Sequence, residues 1–171
     1  MKAMKKQLTI LLLVLVSVVS YAQHDHSAAS HAHKAASPEF KDKRVDAVYD
    51  HYIHLKDVLV ASNAKDAKTA AAELQKALTS VDNSKKASEL AGKISGSTDL
   101  TEQRKAFSDL SNEMTTIVKA SKLASGSLFV EYCPMANNNA GAFWLSNEKE
   151  IKNPYFGDMM LKCGSVKETI Q

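Results

Sequence analysis

Residues 45–63, VDAVYDHYIHLKDVLVASN, carry apolar side chains at the three- and four-residue spacing of one helical face. The positions that share this face are Val45, Val48, Tyr49, Tyr52, Leu55 and Leu59. The spacing predicts a first helix from Glu39 to about Ser62. Because its apolar stripe must be covered, we expect further helices to pack against it.

Two segments downstream have the same periodicity. Asn63 is a favourable N-cap for an alanine-rich helix over residues 67–81, and small side chains allow a neighbouring helix to approach closely. A weaker helical segment runs from about Ser84 to Ile94 and ends at the Gly96-Ser97-Thr98 break.

A fourth helix follows that break. Asp99 with Glu102 resembles a capping box, and the amphipathic pattern after it predicts a long helix that ends near Gly126. Met114 lies at helical spacing from Phe107, so we expect it in the core. Together the four segments predict a mainly α protein with a three- or four-helix bundle.

The composition changes after Gly126. Residues 127–171 hold both cysteines and the only tryptophan, and they are predicted to form a small C-terminal cap that is irregular or β. Residues 128–132 and 142–145 are short aromatic and β-branched runs around a polar Asn137-Asn138-Asn139 turn, which favours two strands or extended segments. The stretch 153–164, NPYFGDMMLKCG, predicts a turn followed by one or two helical turns.

The N-terminus predicts export. Lysines at 2, 5 and 6 precede an apolar run over 8–19 that is too short to span a bilayer, and Ser20-Tyr21-Ala22 provides small residues for cleavage near Ala22. Three of the 22 basic residues and none of the 19 acidic ones lie in this predicted signal peptide, 1–22. The remaining chain is therefore neutral, and it lacks the positive charge that would favour nucleic acid or stable binding to an anionic membrane. We expect one periplasmic domain over 39–171.

Residues 23–38 hold no large apolar side chain and predict a flexible tail. Four histidines form two H-x-H pairs in this tail: His24, His26, His31 and His33. Such a tract can bind Cu(II), Ni(II) or Zn(II) without a fold. It can equally be a solvated linker in which histidine is tolerated.

Sulfur is concentrated in two short segments of the cap. Pro134 favours an extended conformation at Cys133, which would direct Cys133 and Met135 to the same side. In the second segment, a helix would place Met159, Met160 and Cys163 on one face. Thiolate and thioether ligands select soft ions, with Cu(I) the leading candidate, whereas zinc usually takes more cysteine or histidine.

Two structural alternatives stay open for the same residues. Cys133 and Cys163 can form a disulfide, which would close a loop of about thirty residues and stabilise the fold by about 3 to 4 kcal/mol. Met159 or Met160 can be core residues packed with aromatic side chains, namely Phe143, Trp144 and Phe156. Hydrolase, phosphate-binding and zinc-protease motifs are missing from the sequence, so no enzymatic activity is expected.

The residues also support a family resemblance. The pattern YCPMANNNAGAFWLSNEKEIKNPYFGDMMLKCGSV over 132–166, with YDHYIHLKDVLVASN over 49–63, resembles the DUF3347 family of exported bacterial proteins. The resemblance extends over roughly residues 45 to 170. Members of this family stand alone behind signal peptides or resemble domains fused to periplasmic adaptor subunits of heavy-metal efflux pumps.

The resemblance implies a periplasmic role in the handling of copper or another heavy metal. It implies metal ligands at Cys133, Met135, Met160 and Cys163, whereas Met159 and the tail histidines lie outside the matching sequence elements. The leading hypothesis is therefore a periplasmic copper-binding protein. The alternative is a non-enzymatic envelope interaction module with a structural Cys133–Cys163 disulfide, which docks on a metal-efflux adaptor.

Overall fold

The computed structural model describes residues 37–171. The predicted signal peptide and the four tail histidines lie outside the described residues. The elements in chain order are β1 (Glu39–Phe40), α1 (Lys43–Val60), α2 (Ala64–Leu78), α3 (Lys85–Gly96), α4 (Leu100–Ala120), β2 (Leu123–Ser125), β3 (Leu128–Cys133), β4 (Ala142–Ser146) and β5 (Ser165–Ile170). The fold is mainly α with small antiparallel sheets, and this part of the fold prediction is confirmed.

Side-chain caps define where the long helices begin. The Asn63 side chain accepts a hydrogen bond from the Asp66 amide, and Asp99 accepts from the amides of Thr101 and Glu102. Both caps were predicted, because a side-chain oxygen at this position satisfies amides that have no partner within the helix.

Helix α1 begins later and helix α4 ends earlier than predicted, and both differences have the same cause. Phe40 is fully buried in extended backbone, where β1 pairs with β2 in the register Phe40↔Leu123. The Lys41 amide also donates to the Lys122 carbonyl at 2.9 Å. This pairing keeps residues 39–40 out of α1 and residues 123–125 out of α4, so the predicted limits at Glu39 and Gly126 were wrong.

The helices pack in chain order, with α2 against α1 and α3, α3 against α4, and α4 against β4. The predicted apolar face of α1 is buried, and so is Met114 of α4. A series of aromatic rings crosses this core with neighbouring centroids 5.3 to 6.3 Å apart, in the order Phe40, Tyr49, Tyr52, Phe107, Tyr155 and Trp144. Such spacings suit aromatic contacts, and the series connects the helices to the cap.

The three-stranded antiparallel sheet has the order β4-β3-β5. Strands β3 and β4 confirm the two predicted extended segments, and their register pairs Glu131 with Trp144. Strand β5 was not predicted, because it has few apolar residues and lies largely exposed. Its register pairs Tyr132 with Ser165, which determines the neighbours of the strand end at Cys133.

The prediction of a turn followed by one or two helical turns within 153–164 is confirmed only in part. Only a three-residue 3₁₀ turn forms there, Gly157–Met159, and Met160 has φ −147°. The buried Asn153 organises the segment instead, because its Oδ1 accepts from the Tyr155 amide and its Nδ2 donates to the Cys163 carbonyl, both at 2.8 Å. These hydrogen bonds close an irregular loop over 153–163, called here the Asn153 loop.

The buried Tyr52 hydroxyl provides a test of how helices and cap are joined. It accepts a hydrogen bond from the Leu145 amide at 3.1 Å and shares a second with the Ser111 hydroxyl at 2.8 Å. We expect Tyr52→Phe to lower the free energy of unfolding by about 1 to 3 kcal/mol, because two buried groups lose a partner. Urea denaturation measures this change.

Tyr49→Phe is the matched control, since its hydroxyl donates to Asn147 at a partly exposed site. A smaller loss is expected there. Equal losses in the two variants would contradict a special role for the Tyr52 hydroxyl.

Candidate metal centre

The two cysteines lie side by side at the end of β3. The register Tyr132↔Ser165 brings the chain at Gly164 next to Cys133, and both cysteines are free thiols. The two thiols are in hydrogen-bonding contact, and the Met135 amide donates to the Cys163 sulfur. Cys133 is buried and Cys163 is partly exposed. We call Cys133 and Cys163 the thiol pair.

Contact with the Cys133 thiol, together with desolvation, raises the pKa of Cys163 above its ordinary value. The protonated thiol is therefore the favoured form in the metal-free protein. A metal that binds here must displace that proton, as metal binding to thiols generally requires.

The orientation predicted for Cys133 and Met135 was wrong in part. Cys133 is extended, as the following proline favours, but Met135 has helical backbone angles, φ −87° and ψ −12°. The chain turns immediately after the strand, so that Cys133 is buried while Met135 is 49% exposed. Alternation along an extended strand therefore does not relate these two sulfur atoms.

Three methionines come together on the surface instead. Met135, Met159 and Met160 line one cavity of about 440 Å³, called here the sulfur groove. The other lining residues are Thr101, Arg104, Lys105, Asn137, Asn138, Asn139, Tyr155 and Phe156. Met159 is 77% exposed, so the alternative that assigned it to the core was wrong. The helical face predicted for Met159, Met160 and Cys163 does not form either, because the Asn153 loop replaces that helix.

One wall of the sulfur groove is a left-handed turn. Asn137, Asn138 and Asn139 have φ of 53°, 56° and 66°. Asparagine tolerates this conformation better than most residues. The turn is closed by the Gly141 amide, which donates to the Ala136 carbonyl at 2.9 Å.

Hydrogen bonds from Arg104 connect the Asn153 loop to the corner between α1 and α2. Its Nε donates to the Pro154 carbonyl at 2.8 Å, and its Nη2 donates to the Leu59 carbonyl at 3.1 Å. Gly157 has φ 56°, and a Cβ there would lie 2.4 Å from the Ser62 hydroxyl oxygen. The loop can therefore approach this corner only with glycine at 157. Sequence reasoning missed Arg104 because a charged residue on a helix is usually a solvated one.

A buried carboxyl group lies on the same strand as Cys133. Glu131 is fully buried, and desolvation raises its pKa to about 8, although Lys56 and the facing Trp144 indole act in the opposite direction. Glu148 raises the pKa further and Lys152 lowers it. Among residues 37–171, neither carboxyl oxygen completes a hydrogen bond of normal geometry. No sequence pattern marked this residue, because its burial depends on the whole sheet.

Within the described part of the chain, no three or more His, Cys, Asp and Glu side chains form a group that could hold a metal. Over the same residues, no helix combines the length and hydrophobicity needed to cross a membrane.

The protein is mainly α, and its C-terminal cap contains both the thiol pair and the methionine-lined sulfur groove. Residues 48–126 match the family model described as "Protein of unknown function (DUF3347)", which confirms the resemblance to that family. The match covers most of α1 through β2 and ends before the cap, so the sequence elements around Cys133 and Cys163 lie outside it. No curated protein and no solved structure matches the chain.

Glu131 should make the stability depend on pH. Its pKa is about 8 in the folded protein against an ordinary value of 4.5, so unfolding releases a proton at pH values between these two. The free energy of unfolding should fall as pH rises from 4.5 to 8. Glu131→Gln stays neutral, and its stability relative to wild type should increase by a few kcal/mol between pH 5 and pH 9. Thermal or urea unfolding at both pH values measures this difference.

Glu168→Gln removes an exposed carboxylate on β5 and serves as the control. Its difference from wild type should change little over the same interval. A Glu131→Gln difference that is equally flat would show that the Glu131 carboxyl group is already ionised in the folded protein.

The Asn153 side chain should control access to Cys163. In Asn153→Ala the Cys163 carbonyl and the Tyr155 amide lose their side-chain partners, which should cost about 1 to 3 kcal/mol per group left buried without one. We expect the loosened loop to increase the rate at which Cys163 reacts with a thiol reagent several-fold under native conditions. The reaction of Cys163 is followed in a Cys133→Ser background. An unchanged rate would mean that the loop keeps its position without Asn153.

Proposed function

We propose that this protein is a non-enzymatic, periplasmic copper-binding protein that holds Cu(I) through sulfur atoms of its C-terminal cap. The observation that supports the proposal most directly is the convergence of sulfur from distant parts of the cap. Three thioethers line the sulfur groove, and the thiol pair is linked to it through the Met135 amide. In this proposal the four helices form a bundle that supports the cap.

The donor set suits Cu(I) better than a hard cation. Thioether sulfur is neutral and polarizable, binds soft ions and needs no deprotonation. The thiol pair would add one or two thiolates once the metal displaces their protons, so binding should strengthen as pH rises. We assign the principal ligands to Cys133, Cys163, Met135 and Met160, with Met159 as an exposed additional donor.

The histidine tail has a separate role in the proposal. His24, His26, His31 and His33 would raise the local capture of copper near the domain through nitrogen donors. A heavy-metal efflux adaptor is the proposed protein partner, in keeping with the family resemblance.

The contact between the two thiols also supports the second candidate function. Adjacent thiols are the starting point for a disulfide, and a stable Cys133–Cys163 bridge would make the cap a structural part of an envelope interaction module. The state of the thiols in protein taken from the periplasm distinguishes the two functions. A bridge that survives mild reductant would favour the interaction module.

Titration of the reduced protein with Cu(I) against a competing chelator tests the copper proposal. We expect wild-type protein to compete for Cu(I), and the double variant Cys133→Ser, Cys163→Ser to lose at least tenfold in affinity. The triple variant Met135→Leu, Met159→Leu, Met160→Leu should lose affinity as well, because leucine conserves the volume of the side chain and removes the thioether.

Met114→Leu is the matched control, since Met114 is a buried methionine of α4 outside the groove. Its affinity should equal that of wild type. A double cysteine variant that binds Cu(I) as tightly as wild type would refute the thiol assignment.

A further inference from the structure

The sulfur groove carries positive charge. Arg104 and Lys105 belong to its lining, and none of its lining residues is acidic. Among residues 37–171, neither side chain forms an ion pair, although Lys105 borders a second cavity that also contains Glu102 and Asp109. This charge would oppose the approach of a free metal cation and would attract an anion.

Cu(I) with thiolate ligands is such an anion. A complex of one Cu(I) ion with two thiolates has a net charge of −1, and carboxylate groups on the thiol make it more negative. Its soft metal matches the thioethers of the groove, while its charge matches Arg104 and Lys105. An anionic Cu(I)–thiolate complex therefore matches both the thioethers and the positive charge of the groove.

We propose that the sulfur groove receives Cu(I) as an anionic complex of a small thiol and takes the metal over by ligand exchange. This inference rests on the proposed copper-binding function and specifies its substrate. Lys105 draws the complex to the groove, and Arg104 adds positive charge while it holds the Asn153 loop. Met159 supplies the first protein ligand, because it is the most exposed of the three methionines.

The exchange step changes ligands and leaves the oxidation state unchanged. A bond forms between the Met159 sulfur and Cu(I) as one copper–thiolate bond breaks. The departing thiolate keeps the electron pair of that bond and takes a proton from water. Copper remains Cu(I) throughout, and the exchange repeats with the less exposed sulfur atoms.

Two small thiols of opposite charge provide matched probes. Cu(I) is supplied with 3-mercaptopropionate, whose carboxylate is negative at pH 7, or with 2-mercaptoethylamine, whose ammonium group is positive. Stopped-flow mixing measures the rate of transfer to the protein at low ionic strength. Lys105→Glu should slow transfer from the mercaptopropionate complex about fivefold, and it should leave transfer from the mercaptoethylamine complex unchanged or faster. The difference should shrink as salt is added.

Lys85→Glu is the control, since it makes the same charge change at the first residue of α3, which does not line the groove. It should leave both rates at the wild-type values. Met159→Leu should slow transfer from both complexes by a similar factor, because the first protein ligand is lost whatever the charge of the incoming thiol.

Equal effects of Lys105→Glu on both complexes, or no effect on either, would overturn the inference and leave copper binding intact. Failure of the wild-type protein to take Cu(I) from either complex would overturn the proposed function together with the inference. Circular dichroism of each variant checks that slower transfer does not result from unfolding.

Discussion

The position of the cap depends on a buried hydroxyl group, that of Tyr52. This group lies on α1, shares a hydrogen bond with Ser111 of α4 and accepts another from the Leu145 amide of β4. Three elements that are far apart in sequence therefore meet at one oxygen atom. A buried amide without a partner would be costly, so β4 can pack here only in a register that delivers the Leu145 amide to that oxygen.

Tyr155 connects the packing around this hydroxyl group to the loop that carries candidate metal ligands. Its ring lies 5.9 Å from both Phe107 and Trp144, and its hydroxyl donates to the Phe143 carbonyl. Tyr155 belongs to the Asn153 loop, and the same loop carries two groove methionines and Cys163. An irregular loop thus gains the fixed position that a regular helix would otherwise provide, because its ends are bound to buried side chains.

This dependence explains which predictions succeeded. The helices follow from local periodicity and from caps such as Asn63 and Asp99, whose partners lie within three residues. The loop over 153–163 does not follow from the local sequence, because its methionine spacing fits a helix. Its decisive hydrogen bonds instead join Asn153 to residues eight and ten positions away. For the candidate site, the sequence identified the sulfur residues, but their grouping depends on β5 pairing and on Arg104, which carry no local signal.

The structure divides the candidate ligands by access to solvent. The thioethers of Met135 and Met159 are exposed, whereas the Cys133 thiol is buried. Under the proposed function, exposed neutral donors favour rapid exchange of Cu(I), because an incoming ligand can reach the metal before the outgoing one leaves. The buried sulfur of Cys133 favours retention, because water and competing ligands have little access to it. The raised pKa of Cys163 adds a proton barrier to entry at the thiol pair. A single cap can therefore combine fast capture with slow release only if the metal binds the groove first and the thiols second.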